Sequence, residues 1–161
     1  MKSDQQQKHQ SLLLKAERFC AYQERSRTEV EKKLRELKAK QEEISKIIAS
    51  LEEDEYLNDE RFAKVFVNGK FRIKRWGKNK IRAELRMKKI PDNFISNALD
   101  GINDEEYLKT IKHLAEKKRK EIKNPEFRIQ NQKIGMFLLS RGFESNLIWK
   151  VLKKDSSLRS E

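Results

Sequence analysis

The chain has one cysteine, two prolines and five glycines in 161 residues, and 8% of its side chains are aromatic. A lone Cys20 excludes an internal disulfide, and no cysteine and histidine spacing resembles a zinc site. So few turn-forming residues leave a sheet protein without its hairpins. Uninterrupted aliphatic runs are as short as Leu12 to Leu14, far below a bilayer span, so no membrane partner is expected. The polar start, residues 1–10, lacks the apolar stretch of a secretory signal and is expected to be unstructured. A reducing cytoplasm fits these features. Apolar residues make up 36% of the chain against 40% charged, which disfavours one large core and favours small bundles sharing interiors.

Catalytic constellations are missing too. His9 falls in the expected tail and His113 stands alone on its helix, so neither has a base-orienting or metal partner. Gly69, Gly77, Gly101, Gly135 and Gly142 are too scattered for a phosphate-cradling loop, and the carboxylates show no ligand spacing. No enzyme activity, cofactor or metal is expected.

What the chain does have is a repeat. Val30, Leu34, Ile44 and Ile48 recur as Ile81, Leu85, Ile95 and Leu99, then as Ile134, Leu138, Ile148 and Leu152, offset by 51 and then 53 residues. Pairs four apart occur on any amphipathic helix. The ten-residue step from Leu34 to Ile44, repeated at Leu85 to Ile95 and Leu138 to Ile148, marks a helix-turn-helix of fixed length. The expected fold is all-α: three tandem three-helix, helix-turn-helix-like repeats at 10–58, 59–102 and 103–154, with tails at 1–9 and 155–161.

Helix ends can be read from capping chemistry. Ser26 with Glu29 forms a capping box that starts a helix at Arg27, and Asn103 with Glu106 repeats the spacing. Asn58 or Asp59 caps the fourth helix, Pro91 sits near the first turn of the sixth, and Ser145 caps the ninth. Gly77 marks a turn, while Gly101 and Gly142 suit helix ends. The expected helices cover about 10–24, 27–38, 41–53, 59–75, 78–88, 91–100, 103–123, 126–141 and 145–154.

Lys and Arg outnumber Asp and Glu by 38 to 26. The excess is uneven: residues 9–58 carry 10 positive and 11 negative groups, 59–102 carry 12 and 5, and 103–154 carry 13 and 7. A neutral first repeat followed by two basic ones points to a polyanionic partner, most often nucleic acid.

Several motifs fall in order upon this repeat. Tyr56-Leu57-Asn58-Asp59-Glu60-Arg61-Phe62-Ala63, Arg75-Trp76-Gly77-Lys78 leading to Ile81 and Glu84-Leu85-Arg86, and Arg141-Gly142-Phe143 before Ile148 resemble the regulatory protein RecX family. The resemblance covers about residues 16–152. It implies an elongated, curved array of three-helix repeats that binds the RecA recombinase filament on DNA, inhibits its ATPase and strand exchange, and contacts single- or double-stranded DNA. Recombination, DNA repair and the SOS response are the implied setting, and a monomer is the simplest state. Where the family commonly has two aspartates this chain has Asn58-Asp59, which keeps a good cap. Where the family commonly has a Lys-Gly turn this chain has Lys88-Lys89, losing a residue tolerant of positive φ, which leaves open the geometry of the turn between the fifth and sixth helices.

The sharpest local signal is the stretch 70–89, with ten basic residues and one acid, Glu84. A solvated face is the ordinary reading of a basic cluster. Unrelieved like charge on a helix is mildly destabilising, however, and ordinary faces mix signs as the first repeat does. The candidate surface for DNA or protein is Lys70, Arg72, Lys74, Arg75, Trp76, Lys78, Lys80, Arg82, Arg86 and Lys89. At 100° per residue, Arg82, Arg86 and Lys89 form one stripe beside the buried Ile81 and Leu85. Trp76 can stack on a base or fill a partner's pocket, or pack across the junction of its helices. Trp149 is assigned to the core or an inter-repeat contact. Tyr56, Phe62, Phe66 and Phe71 are assigned to packing between the first two repeats. A sequence-nonspecific DNA-binding protein that clamps the backbone without RecA is the alternative.

Overall fold

The computed structural model describes residues 3–159; the ends of the two expected tails, 1–2 and 160–161, lie outside the described residues. Among the described residues there are nine α-helices and no strand: α1 (Asp4–Tyr22), α2 (Arg27–Glu36), α3 (Gln41–Glu53), α4 (Asp59–Arg72), α5 (Lys78–Met87), α6 (Asp92–Asp100), α7 (Asp104–Glu121), α8 (Phe127–Ser140) and α9 (Ser145–Arg159). They form three tandem three-helix repeats. No helix of the described residues is long and apolar enough to cross a membrane.

The polar start is not unstructured. Ser3 accepts the Gln6 amide at 3.3 Å while the Gln6 side chain accepts the Ser3 amide at 3.1 Å, a capping box that begins α1 six residues before the expected start. The expected C-terminal tail likewise continues α9 as far as Arg159. Ser26 and Glu29 form the expected reciprocal pair at α2, with bonds of 2.9 and 3.2 Å. Asn58 caps α4 by accepting the Arg61 amide, and Asn103 caps α7 by accepting the Glu106 amide. Ser145 is the first residue of α9 rather than its cap: the carbonyl of Glu144 accepts from Leu147 and Ile148.

The repeat extends to the turns. Lys38, Lys89 and Gly142 follow the middle helix of each copy at the same 51- and 53-residue offsets, all left-handed with φ of 66°, 59° and 94°. In each turn the next amide, of Ala39, Ile90 or Phe143, reaches back to the carbonyl of Leu34, Leu85 or Leu138 at 3.0–3.1 Å. This is a Schellman closure, and the leucine that accepts the bond is also fully buried. The Lys88-Lys89 turn therefore keeps left-handed geometry although no glycine stands there. Gly101 ends α6 without a positive φ.

By compactness the chain divides into two units that cut across the repeats: Met1–Val65 with Leu85–Ile95, and Phe66–Glu84 with Ser96–Glu161. In the first, α1, α2 and α3 pack together over Leu12, Ala16, Val30, Leu34, Ile44, Ile47, Ile48 and Leu51. Burial of each leucine or isoleucine contributes about 2 kcal/mol. The amino end of α2 gathers distant residues: Asp59 accepts the Arg27 amide at 3.0 Å, Thr28 donates to the Lys88 carbonyl, and Glu29 meets the Lys88 ammonium at 2.7 Å. Burial raises the Asp59 carboxyl above its ordinary value, against the lowering effect of the Arg27 amide. Burial also pushes the Cys20 thiol up to about 11, which keeps it protonated and unreactive. In the second unit α7, α8 and α9 pack together over Ile111, Leu114, Ile134, Leu138, Ile148 and Leu152. Phe71, Tyr107 and Phe143 join that core as neighbouring rings, with centroids 5.7 and 5.5 Å apart.

Because Lys89 carries a Cβ at φ 59° and its side chain is exposed, Lys89→Gly should stabilise the fold by about 0.5–1 kcal/mol, the left-handed penalty less the extra chain entropy of glycine. Urea denaturation followed by circular dichroism measures it.

Candidate nucleic-acid interface

The basic stretch is mounted on a backbone junction inside the second unit. Gly77 donates its amide to the Arg141 carbonyl at 2.8 Å, and Asn79 donates to the Gly142 carbonyl at 2.9 Å. A Cβ on Gly77 would lie 2.3 Å from the Gly142 carbonyl carbon, and one on Gly142 would lie 2.3 Å from the Lys80 Cβ. Only glycine at both positions lets the two turns touch. The Arg141 guanidinium donates to the Lys74 carbonyl at 3.1 Å, and the Lys78 amide donates to the Tyr107 hydroxyl at 3.0 Å. Tyr107 in turn donates to the Glu144 carboxylate. Burial, followed by the bond to Glu144, raises the Tyr107 hydroxyl well above the usual tyrosine value. Arg75 completes the turn with φ 59°, and the Trp76 amide closes it on the Lys70 carbonyl at 3.0 Å.

This frame sorts the candidate residues. The ammonium groups of Lys70 and Lys80 lie 4.7 and 4.4 Å from the centroid of the Trp76 ring, so the indole sits among cations as the sequence suggested. Lys78 lies 5.0 Å from the Tyr107 ring. Arg72 pairs with Glu106 at 3.6 Å, and Arg82 donates to Asn79 at 3.3 Å. Among the described residues, Lys70, Lys74, Arg75, Lys78, Lys80 and Arg82 have no ion pair to a carboxylate. Lys74 and Arg75 are exposed.

Arg86 and Lys89 belong to the first unit and differ in kind. Arg86 pairs with Asp92 at 3.2 Å, and both side chains are exposed. The expected stripe ends there, because α5 stops at Met87 and the left-handed Lys89 no longer follows the helical rotation.

Other assignments are revised. Trp149 is not a core residue: it is 41% exposed on α9, with its ring edge 2.8 Å from where a Cβ on Gly135 of α8 would lie. Phe62 and Phe71 are buried, but the ring beside Phe71 is Tyr107 of the third repeat rather than a residue of the first, and Tyr56 is 39% exposed. With Lys109 on α7, His113 lines a cleft shared with Arg72 and Arg75. The i, i+4 spacing of Lys109 and His113 was its sequence signal. Near the end of α7, Arg119 donates to Gln130 and Asn131 at 3.1 and 2.7 Å and Lys118 pairs with Glu121 at 3.6 Å, so part of the positive charge of the third repeat is structural. Among the described residues no group of His, Cys, Asp and Glu could hold a metal ion.

The fold defines a class, all-α proteins built from tandem three-helix repeats, and comparison with known proteins narrows it. The family model for the second three-helix domain of RecX matches residues 58–99, and that for the third matches 104–152. The chain belongs to the RecX family. It is 30% identical over 157 residues to the regulatory protein RecX of Bacillus cytotoxicus, covering 94% of this chain and 58% of that protein. It is 29% identical over 153 residues to the RecX of Limosilactobacillus reuteri, covering 95% and 56%. The chain thus spans a little over half the length of these curated relatives. The crystal structure of RecX from Lactobacillus salivarius superposes with a TM-score of 0.83 at 29% identity, covering 92% of this chain and 96% of that one.

Two outcomes test this frame. Gly142→Ala should cost about 2–5 kcal/mol, from the left-handed φ plus the clash with Lys80, whereas Gly69→Ala in open space on α4 should add about 0.5–1 kcal/mol. Denaturant midpoints of the two variants separate these effects. Tyr107→Phe should cost about 1–3 kcal/mol at neutral pH by leaving the Lys78 amide without its acceptor. Tyr107 holds its proton more tightly folded than unfolded, so its contribution is fully present below the ordinary tyrosine value of about 10 and is lost progressively as pH rises above it. The stability gap between wild type and Tyr107→Phe should therefore narrow above pH of about 10.

Proposed function

We propose that the chain is a noncatalytic regulator of the RecA recombinase, acting as a monomer in the cytoplasm. It binds the RecA filament on DNA and inhibits ATPase and strand-exchange activity, in recombination, DNA repair and the SOS response. Membership of the RecX family and the regulatory name of the relatives support this reading. The observation that carries it here is the turn 74–80, where backbone bonds to Arg141, Gly142 and Tyr107 hold a set of cations without carboxylate partners. A rigid, one-signed edge suits a polyanion, and contacts with neighbouring protomers would oppose the rearrangements that accompany ATP turnover.

The same cations favour one rival, a general DNA-binding protein without a RecA partner. The two differ in what they prefer. A general binder should hold naked DNA with steep salt dependence and show no preference for filaments, whereas a filament regulator should favour RecA-coated strands over equal DNA. Cosedimentation with RecA on single-stranded DNA, run beside a RecA ATPase assay, should show filament enrichment and slower ATP turnover. Neither effect appearing would sink the proposal. Lys74→Glu with Lys80→Glu should weaken filament or DNA binding about tenfold while leaving the helical circular dichroism unchanged.

A further inference from the structure

We propose that the cleft between the end of α4 and one face of α7 binds a backbone phosphate of a nucleic-acid strand. This deepens the nucleic-acid side of the proposed function and rests on it. The cleft has a volume of about 460 Å³. Arg72 enters as the last residue of α4, and Arg75 enters from the left-handed turn that follows. Lys109, Thr110 and His113 line the opposite side from α7. Three permanent cations and an imidazole thus face one carboxylate, Glu106.

That carboxylate does not saturate the cleft. Its contact with the Arg72 guanidinium is 3.6 Å, an ion pair too long for a hydrogen bond, so the fork of donors remains available to an incoming oxygen. Arg75 has no ion pair among the described residues. The chemistry favours phosphate over base: Phe71, at the back of the cleft, is 3% exposed and turned to Tyr107, so it offers no ring for stacking. Thr110 donates its hydroxyl to the Glu106 carbonyl at 3.0 Å and has no free proton with which to read a base edge. The recognition would therefore be independent of sequence. An acidic protein segment could meet the same charges, but Arg75 also begins the run of cations through Lys78, Lys80 and Arg82, which suits the repeating charge of a strand.

The test uses the full chain, a labelled oligothymidylate and fluorescence anisotropy over a range of salt, with inorganic phosphate and polyglutamate as competitors. Lys109→Ala combined with His113→Ala should weaken binding and lower the slope of log affinity against log salt by about 0.7 for each strand phosphate released. Glu106→Gln should tighten binding severalfold, a gain that misfolding cannot imitate. Both variants matching wild type in affinity and slope would overturn the proposal. So would variants that lose polyglutamate while holding the oligonucleotide unchanged, or inorganic phosphate shifts that the variants abolish without any change toward the strand. A wild-type chain that fails to bind the oligonucleotide overturns the cleft together with the nucleic-acid reading. Binding through the cleft with RecA ATP turnover unchanged would sink the filament proposal and uphold the cleft.

Discussion

At Gly77 and Gly142 two backbones meet with no side chain between them, and much of the second unit is arranged to make that possible. Amides of Gly77 and Asn79 satisfy carbonyls of Arg141 and Gly142 that would otherwise be lost to the core at the end of α8. Because the contact is backbone to backbone, it fixes the start of α5 without using any of the charged side chains beside it. Tyr107 adds a second fixed point at Lys78, held from behind by Glu144. The cations of 74–80 thus stand on a frame whose stability does not depend on neutralising them.

The left-handed turns after α2, α5 and α8 show where such a constraint ends. Lys38, Lys89 and Gly142 do the same job for their helices, closing on Leu34, Leu85 and Leu138. Schellman geometry alone tolerates lysine, at a cost of about 1–2 kcal/mol for the conformation. Only the third turn must also admit another backbone, at Lys80, and only there is the residue glycine. The difference lies in what touches the turn rather than in the turn itself.

Much of the fold could be read from capping and periodicity. The bounds of α3 and the amino ends of α2, α4 and α7 follow from apolar spacing and from Ser26, Asn58 and Asn103, because those signals are local and act within one turn. Local signals failed where a weaker one was overlooked or where partners were distant. Ser3 and Gln6 are a capping box inside a segment whose polarity gives no other helical signal. Asp59 caps α2 across 32 residues instead of serving its own helix, and nothing in its immediate sequence announces this. The candidate surface was legible as a density of charge, but not as a sorted set. Distinguishing Arg86, which has Asp92, from Lys74, which has no carboxylate partner among the described residues, needed coordinates.

That sorting bears on how so basic a stretch can be stable. Like charges within a Debye length of about 10 Å at 0.1 M salt repel one another, and a soluble protein ordinarily relieves them with acids. Here the relief near Trp76 comes from a ring: Lys70 and Lys80 both approach the indole, whose quadrupole attracts cations without cancelling their charge at longer range. Lys78 does the same with Tyr107. A carboxylate would have stabilised the turn and abolished its field, whereas an aromatic ring stabilises it and leaves the field intact. Lys88 shows the opposite solution, with its ammonium against Glu29 at the start of α2, where the charge serves the fold. The cations are therefore divided by the kind of partner they have: Lys70, Lys78 and Lys80 lie against rings that leave their charge uncancelled, whereas Lys88 is matched by a carboxylate.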